Sequence, residues 1–197
     1  SALIAVGSVA DELVEAISRR IPGIKVGVGT DPDVEMGPLI TGEHCARVAG
    51  YVERAQEAGA VAVVDGSQAD VPKHGFFYGP TLLDRVTPEM ECYREEIFGP
   101  VLTVVRVETF REAIDLINSN PFGNGTAIFT RDGGAARQFQ HEVQVGMVGI
   151  NVPIPVPVAY HSFGGWKSSL FGDTHMYGPE GVRFYTRAKA VTARWPD

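Results

Sequence analysis

Two adjacent carboxylates, Glu95 and Glu96, stand directly before a turn and an apolar stretch in the octet EEIFGPVL, residues 95–102. A glutamate placed there can accept hydrogen bonds from a vicinal diol such as a ribose. Phe98 offers a face to a flat ring or sugar, and Gly99 permits close approach. The same residues fit a second description, with the glutamates on a solvated helix end and Phe98 in the core. Because exposed glutamate is common, spacing alone favours this second description.

The segment GINVPIPVPVAYHSFGGWKSSLFG, residues 149–172, resembles neither a helix nor a sheet interior. Pro153, Pro155 and Pro157 each lack an N–H and fix φ near about −65°, which predicts an extended, pre-stiffened loop. A long loop in a compact domain is usually functional or disordered. The valines, Ile154, Tyr160, Phe163 and Trp166 argue for order, because they offer apolar area worth burying.

Other chemistries fail on spacing. Gly27 and Gly29 supply two glycines of a dinucleotide fingerprint, but Pro32 follows and the third glycine is missing. Trp166 separates Gly165 from Lys167, so no Walker A loop forms there. Val145 stands where His141-Glu142 would need a second histidine, and the five histidines show no metal-ligand spacing. No Gly-x-Ser-x-Gly elbow is present. Cys45 lies in a predicted helix, where a small buried side chain is the ordinary reading. Cys92 follows Met90-Glu91, acidic surroundings that should raise its pKa.

Several elements must position these residues. Ala2–Val6 reads as a buried strand. A helix follows, opened by Ser8 and Asp11 in a capping-box arrangement, with Val9, Leu13, Val14 and Ile17 on one face. Residues 25–39 read as a loop. A second helix is predicted after Thr41, with Ala46, Ala49, Val52 and Ala55 inward and an end near Gly59. Strands are predicted at 60–64, 78–83, 101–107, 125–130 and 147–151, with helices at 109–118, 135–143 and 181–185. The recurring strand–helix order predicts an α/β fold with a mostly parallel sheet and helices on both faces. Residues 188–195 alternate enough to form a terminal strand that pairs at an edge or bridges subunits.

With 197 residues the default is one domain. A hydrophobic share of 44% allows a sizeable core, and a net charge of −7 argues against a nucleic-acid surface. No apolar run is long enough to cross a bilayer. Two cysteines far apart in sequence suggest a reducing compartment. The opening SALIAV has no initiator Met and reads as mid-protein.

The octet EEIFGPVL resembles a signature of the aldehyde dehydrogenase superfamily. Further segments resemble that superfamily in the same order along the chain: MGPLI at 36–40, YGPTL at 78–82, NPFG at 120–123 with AIFT at 127–130, and SFGGWK at 162–167. Tyr177-Gly178, Tyr185-Thr186 and Lys189-Ala190-Val191 resemble its closing stretch. The proline loop is similar to that of the CoA-acylating methylmalonate-semialdehyde dehydrogenases.

This resemblance implies oxidation of methylmalonate or malonate semialdehyde with NAD and coenzyme A, giving propionyl-CoA or acetyl-CoA and CO2. It implies that Glu96, rather than Glu95, holds the nicotinamide ribose, with Phe98 beside it. Phe163 becomes an aromatic wall of the substrate pocket, to which Asn151 and His161 also belong; a plain turn histidine fits His161 equally well. Residues 152–162 would shape the entrance. The nucleophilic cysteine of the family is expected upstream of Ser1, so the chain alone is expected to be inactive. Residues 1–187 would be a catalytic-domain portion and 188–197 an oligomerisation strand of a homodimer or homotetramer. A bacterial cytoplasm is favoured over a mitochondrial matrix, with no nucleic acid, membrane or metal involved. The alternative is a non-catalytic module of the same fold that binds CoA or a partner.

Overall fold

The computed structural model describes residues 2–197. It divides into two compact units, Ser1–Ala113 and Ile114–Asp197. This division by packing falls elsewhere than the functional boundary expected at residue 187.

The first unit is built on a four-stranded sheet in the order β1-β4-β3-β2. Its strands are β1 (Ala2–Val6), β2 (Val61–Val64), β3 (Thr81–Asp84) and β4 (Val101–Val107). β1 and β3 both run parallel to β4, while β2 joins the edge antiparallel to β3 with a register shift between Ala62 and Val64. Gly59, at φ +103°, turns the chain between the preceding helix and β2.

Helix α1 (Ala10–Arg20) packs Val14, with Leu13 and Ile17 at the margin, against Ala5, Leu82 and Val104. Their alternates on the same strands, Leu83, Thr103 and Val105, are buried too, so both faces of the sheet are covered. The expected capping box at Ser8 does not form. Gly7, at φ +64°, opens a 3-10 turn over Gly7–Val9, and α1 begins without a side-chain cap. Val9 is left exposed as a result.

Helix α2 (Gly42–Glu57) starts where expected. The Thr41 hydroxyl oxygen accepts the His44 N–H at 3.1 Å. Val48, Tyr51, Val52 and Ala55 are its buried residues. Ala46, expected inward, is exposed because the buried stripe passes through 48, 51, 52 and 55. The short helix α3 (Glu91–Arg94) leads into the glutamate pair.

Helix α4 (Phe110–Ser119) carries the chain into the second unit. That unit contains β5 (Phe122–Gly123), β6 (Gly125–Ile128), α5 (Gly133–Glu142), β7 (Met147–Ile150), β8 (Trp166–Lys167) and α6 (Gly178–Tyr185). β6, α5 and β7 form a parallel crossover, and β5 pairs antiparallel with β8. The Asp132 carboxylate caps α5 by accepting the N–H groups of Gly134 and Ala135.

Residues 188–197 are exposed throughout and carry no regular element. A strand exists only through hydrogen bonds to a neighbour. Among the described residues none pairs with this segment, so the terminal strand expected from the sequence is not formed within the single chain.

Candidate functional site

The glutamate pair is positioned by one face of α2. Positions 44, 47, 48, 51 and 54 fall within about 120° of one another at 3.6 residues per turn. Arg54 pairs with Glu91 at the start of α3. The Tyr51 hydroxyl donates to the Glu95 carboxylate at 2.5 Å. Val48 lies so close to Gly99 that a Cβ there would meet its methyl at 2.8 Å. The His44 ring Nε2 lies 2.8 Å from the Phe98 carbonyl oxygen. Four contacts thus pin residues 91–99 to one helix.

This clamp separates two chemically identical neighbours. Glu95 is committed to Tyr51, and its hydrogen bond, followed by burial, raises the phenol's pKa. Glu96 is exposed, and its carboxylate is engaged by none of the described residues. Ile97 enters the core at 3% exposure, whereas Phe98 stands out at 73% with a left-handed φ of +52°. Of the two descriptions of this turn, the one that buries Phe98 therefore fails. A non-glycine residue in that conformation costs about 1–2 kcal/mol, so surrounding contacts must hold it. A free carboxylate next to a free aromatic face fits a ribose bearing a flat ring.

The second unit holds the proline loop. Asn151, at its start, has φ +58°. Its side-chain amide lies along the backbone of Thr130, accepting from the N–H at 2.9 Å and donating to the C=O at 3.0 Å. What Asn151 positions directly is therefore the root of the loop. Val152, Ile154, Val156 and Val158, expected to be worth burying, are exposed because no described residue covers them.

The far end of the loop is fastened to the start of α6. Gly178, at φ +66°, donates its N–H to Ala159 O at 3.1 Å, and a Cβ on it would meet Ser162 N at 2.6 Å. The Ser162 hydroxyl donates to Tyr177 O at 3.0 Å. The Phe163 ring stacks on Tyr177, with centroids 4.5 Å apart and planes 5° apart. Phe163 is thereby held as a rigid, half-buried wall. His161 is exposed, with its ring tilted against Tyr160. Lys167 anchors the following turn by donating from Nζ to the carbonyls of Asn118 and Asn120 at 2.8 and 2.9 Å.

Both cysteines are at least partly shielded from solvent. Cys92 is buried, and burial, more than the neighbouring Glu91, pushes its thiol pKa up. Acidic surroundings, the cause expected from the sequence, are thus the lesser one. The Cys45 thiol is part-buried and directed at Phe77 O, 3.7 Å away. Among the described residues no group of three or more His, Cys, Asp or Glu could hold a metal ion. No helix among them is long and apolar enough to cross a membrane.

The sequence reading missed Tyr51, Arg54 and His44. Their signal is a polar stripe at helical spacing on α2, beside the small inward residues that mark the helix. It also missed Asp84, a 4% exposed carboxylate at the end of β3. Arg106 donates to both Asp84 oxygens, at 2.9 and 2.7 Å, and to Asp11 at 2.7 Å.

The parallel sheet with its left-handed EEIFG turn and the FGGWK turn defines the class, and the chain belongs to the aldehyde dehydrogenase family, whose pattern matches residues 1–191. It is 60% identical over 191 residues to a malonate-semialdehyde dehydrogenase of Pseudomonas aeruginosa, covering 96% of this chain and 38% of that protein. It is 47% identical over 196 residues to malonate-semialdehyde dehydrogenase 2 of Geobacillus kaustophilus, covering 99% of this chain and 40% of the relative. Its structure superposes with a TM-score of 0.96 on a methylmalonate-semialdehyde dehydrogenase from Oceanimonas doudoroffii, at 58% identity, covering 100% of this chain and 41% of that one. A protein from Sinorhizobium meliloti 1021, provisionally described as a methylmalonate-semialdehyde dehydrogenase and solved with NAD, also superposes with a TM-score of 0.96, at 46% identity and with the same coverage. The chain therefore spans about two fifths of the length of these relatives.

Proposed function

We propose that this chain supplies the nicotinamide-ribose contact and part of the aldehyde pocket of an NAD-dependent, CoA-acylating semialdehyde dehydrogenase acting on malonate or methylmalonate semialdehyde. The observation that carries this reading is the unpaired Glu96 beside an outward Phe98, on a turn clamped by α2. The printed names of the relatives support the substrate class, and a relative solved with NAD supports the cofactor. The likeness of the proline loop to that of acylating members supports coenzyme A as the acyl acceptor.

In this reading the Glu96 carboxylate accepts hydrogen bonds from the two ribose hydroxyls. Phe98 packs beside the ring they carry, and Gly99 leaves room for Val48 behind the turn. Bound NAD supplies the hydride acceptor. Phe163, made rigid by Tyr177, bounds the substrate pocket, and Asn151 sets where the proline loop departs. His161, exposed at the loop's far end, is assigned to the edge of that pocket. The net conversion takes semialdehyde, NAD+ and CoA to acyl-CoA, CO2 and NADH. The thiol that attacks the aldehyde is neither Cys45 nor Cys92, so residues 1–197 alone do not turn over substrate. Residues 188–197, with Val191 and Trp195 exposed, add a strand to a second copy in the assembled homo-oligomer.

The test is to supply the full-length gene product with each semialdehyde, NAD and CoA and to identify the products by mass spectrometry. Acetyl-CoA from malonate semialdehyde, or propionyl-CoA from its methyl homologue, is the expected result. A free carboxylic acid with no CoA thioester would overturn the acylating assignment.

A further inference from the structure

We infer that His44, oriented by Arg47, is a positioning residue that holds the Glu96–Phe98 turn in its left-handed form; the inference rests on the assignment of that turn to the nicotinamide ribose. The His44 ring bridges two groups whose donor and acceptor roles are fixed. Arg47 Nη2 lies 3.1 Å from His44 Nδ1, and a guanidinium only donates. Nδ1 must therefore accept, which leaves the proton on Nε2. Nε2 lies 2.8 Å from the Phe98 carbonyl oxygen, which only accepts. Both bonds are satisfied together by one tautomer, the Nε2–H imidazole.

The bond falls where the backbone is strained. Phe98 has φ +52°, and its carbonyl belongs to the peptide that joins it to Gly99. Holding that oxygen fixes the peptide plane just after the strained residue. Tyr51 holds Glu95 on the other side of Glu96 and Ile97. The turn is thus gripped at both ends, and Glu96 projects from between the grips. Releasing the Phe98 carbonyl lets φ relax toward negative values, and Phe98 and Glu96 lose their shared orientation. His44 touches neither ring nor ribose in this reading. It acts through the backbone from the first turn of α2, where the Thr41 cap fixes its own N–H.

The test compares His44→Ala, His44→Gln, His44→Asn and Glu96→Gln in the full-length gene product, reading single-turnover hydride transfer to NAD with malonate semialdehyde. Alanine is the best helix former, so α2 persists in His44→Ala, and a thermal melt checks this. His44→Ala slows hydride transfer by about tenfold, as expected for one lost hydrogen bond that orders a reacting group. The loss falls on the single-turnover rate at saturating semialdehyde, with the half-saturating semialdehyde concentration unchanged. His44→Gln, whose amide N–H reaches as far as Nε2, recovers to within about threefold of the unsubstituted rate, whereas the shorter Asn does not. If Glu96→Gln slows transfer while every His44 variant keeps the full rate, the inference is overturned and the ribose assignment stands. Equal impairment of the Ala and Gln variants would reduce His44 to a packing residue and likewise overturn the inference. An undiminished rate in Glu96→Gln removes the ribose assignment itself, and the inference with it.

Discussion

The Tyr51 hydroxyl donates to the Glu95 carboxylate, and this bond distinguishes Glu95 from its neighbour, which has no partner among the described residues. Two residues of one type, adjacent in the chain, therefore have different work to do. Glu95 ties the turn to α2, and Glu96 stays exposed, which suits the ribose role proposed for it.

The Tyr51–Glu95 bond has a titration consequence. The folded phenol pKa is raised above its ordinary value of about 10, first by the Glu95 hydrogen bond and then by burial. A raised folded pKa means that the stabilisation is present below the unfolded value and is lost as pH rises through the folded one. Tyr51→Phe should cost about 1 kcal/mol at neutral pH, with the gap to the unsubstituted protein closing in strong alkali. Denaturant unfolding at several pH values measures this, and a gap independent of pH would contradict it.

Asp84 gives the opposite sign. Burial opposes its ionisation, but hydrogen bonds from Arg106 and from the Arg85 N–H, with their charges, outweigh burial and hold its pKa below the usual carboxylate value. The stabilisation is present above about pH 4 and is lost as pH falls through the folded pKa. Asp84→Asn should cost about 3 kcal/mol at pH 7, because it breaks a buried pair, and progressively less in acid. Urea melts at neutral and acid pH check both parts. An undiminished cost in acid would mean that the Asp84 charge is not what stabilises.

Asn151 combines a left-handed φ with two side-chain bonds to Thr130. Asn151→Ala loses both bonds and adds strain, and should cost about 2 kcal/mol. Asn151→Gly relieves the strain and should cost less than the Ala variant. Hydrogen exchange at the Thr130 amide should quicken in both. Equal stability of the Ala and Gly variants would show that the left-handed turn is not under strain.

The cysteines offer a control. Cys45→Ala and Cys92→Ala should each leave the hydride-transfer rate of the full-length gene product within about twofold, since both thiols are at least partly shielded from solvent. A loss of about a thousandfold in either would make that residue the nucleophile and overturn the assignment.

Much of this was legible in the residues. The strand VLTVVRV became β4, with Val101, Thr103 and Val105 on one face, because a doubly covered parallel strand needs little more than a run rich in β-branched residues. The three prolines announced the loop through their own covalent geometry. The start of α1 was misread because Ser8 has a capping residue's type without its conformation, the preceding Gly7 having turned the chain. Phe98 was ambiguous because hydrophobicity says inward, and only the left-handed backbone sends Ile97 into the core and Phe98 out. The Tyr51 and His44 contacts join residues 44 and 54 positions apart in sequence, a separation that no local pattern reports. The terminal segment carries a strand's alternation but needs a second edge to become one.

The difference between the two glutamates is tested most directly by single-turnover hydride transfer in Glu95→Gln and Glu96→Gln forms of the full-length gene product. Glu96→Gln should slow the step by at least about tenfold with the thermal midpoint unchanged, because it weakens charge-assisted bonds to the ribose and touches nothing in the fold. Glu95→Gln should lower the midpoint and leave the step within about threefold of the unsubstituted rate. The reverse pattern, with Glu95 governing the rate and Glu96 neutral, would contradict the account.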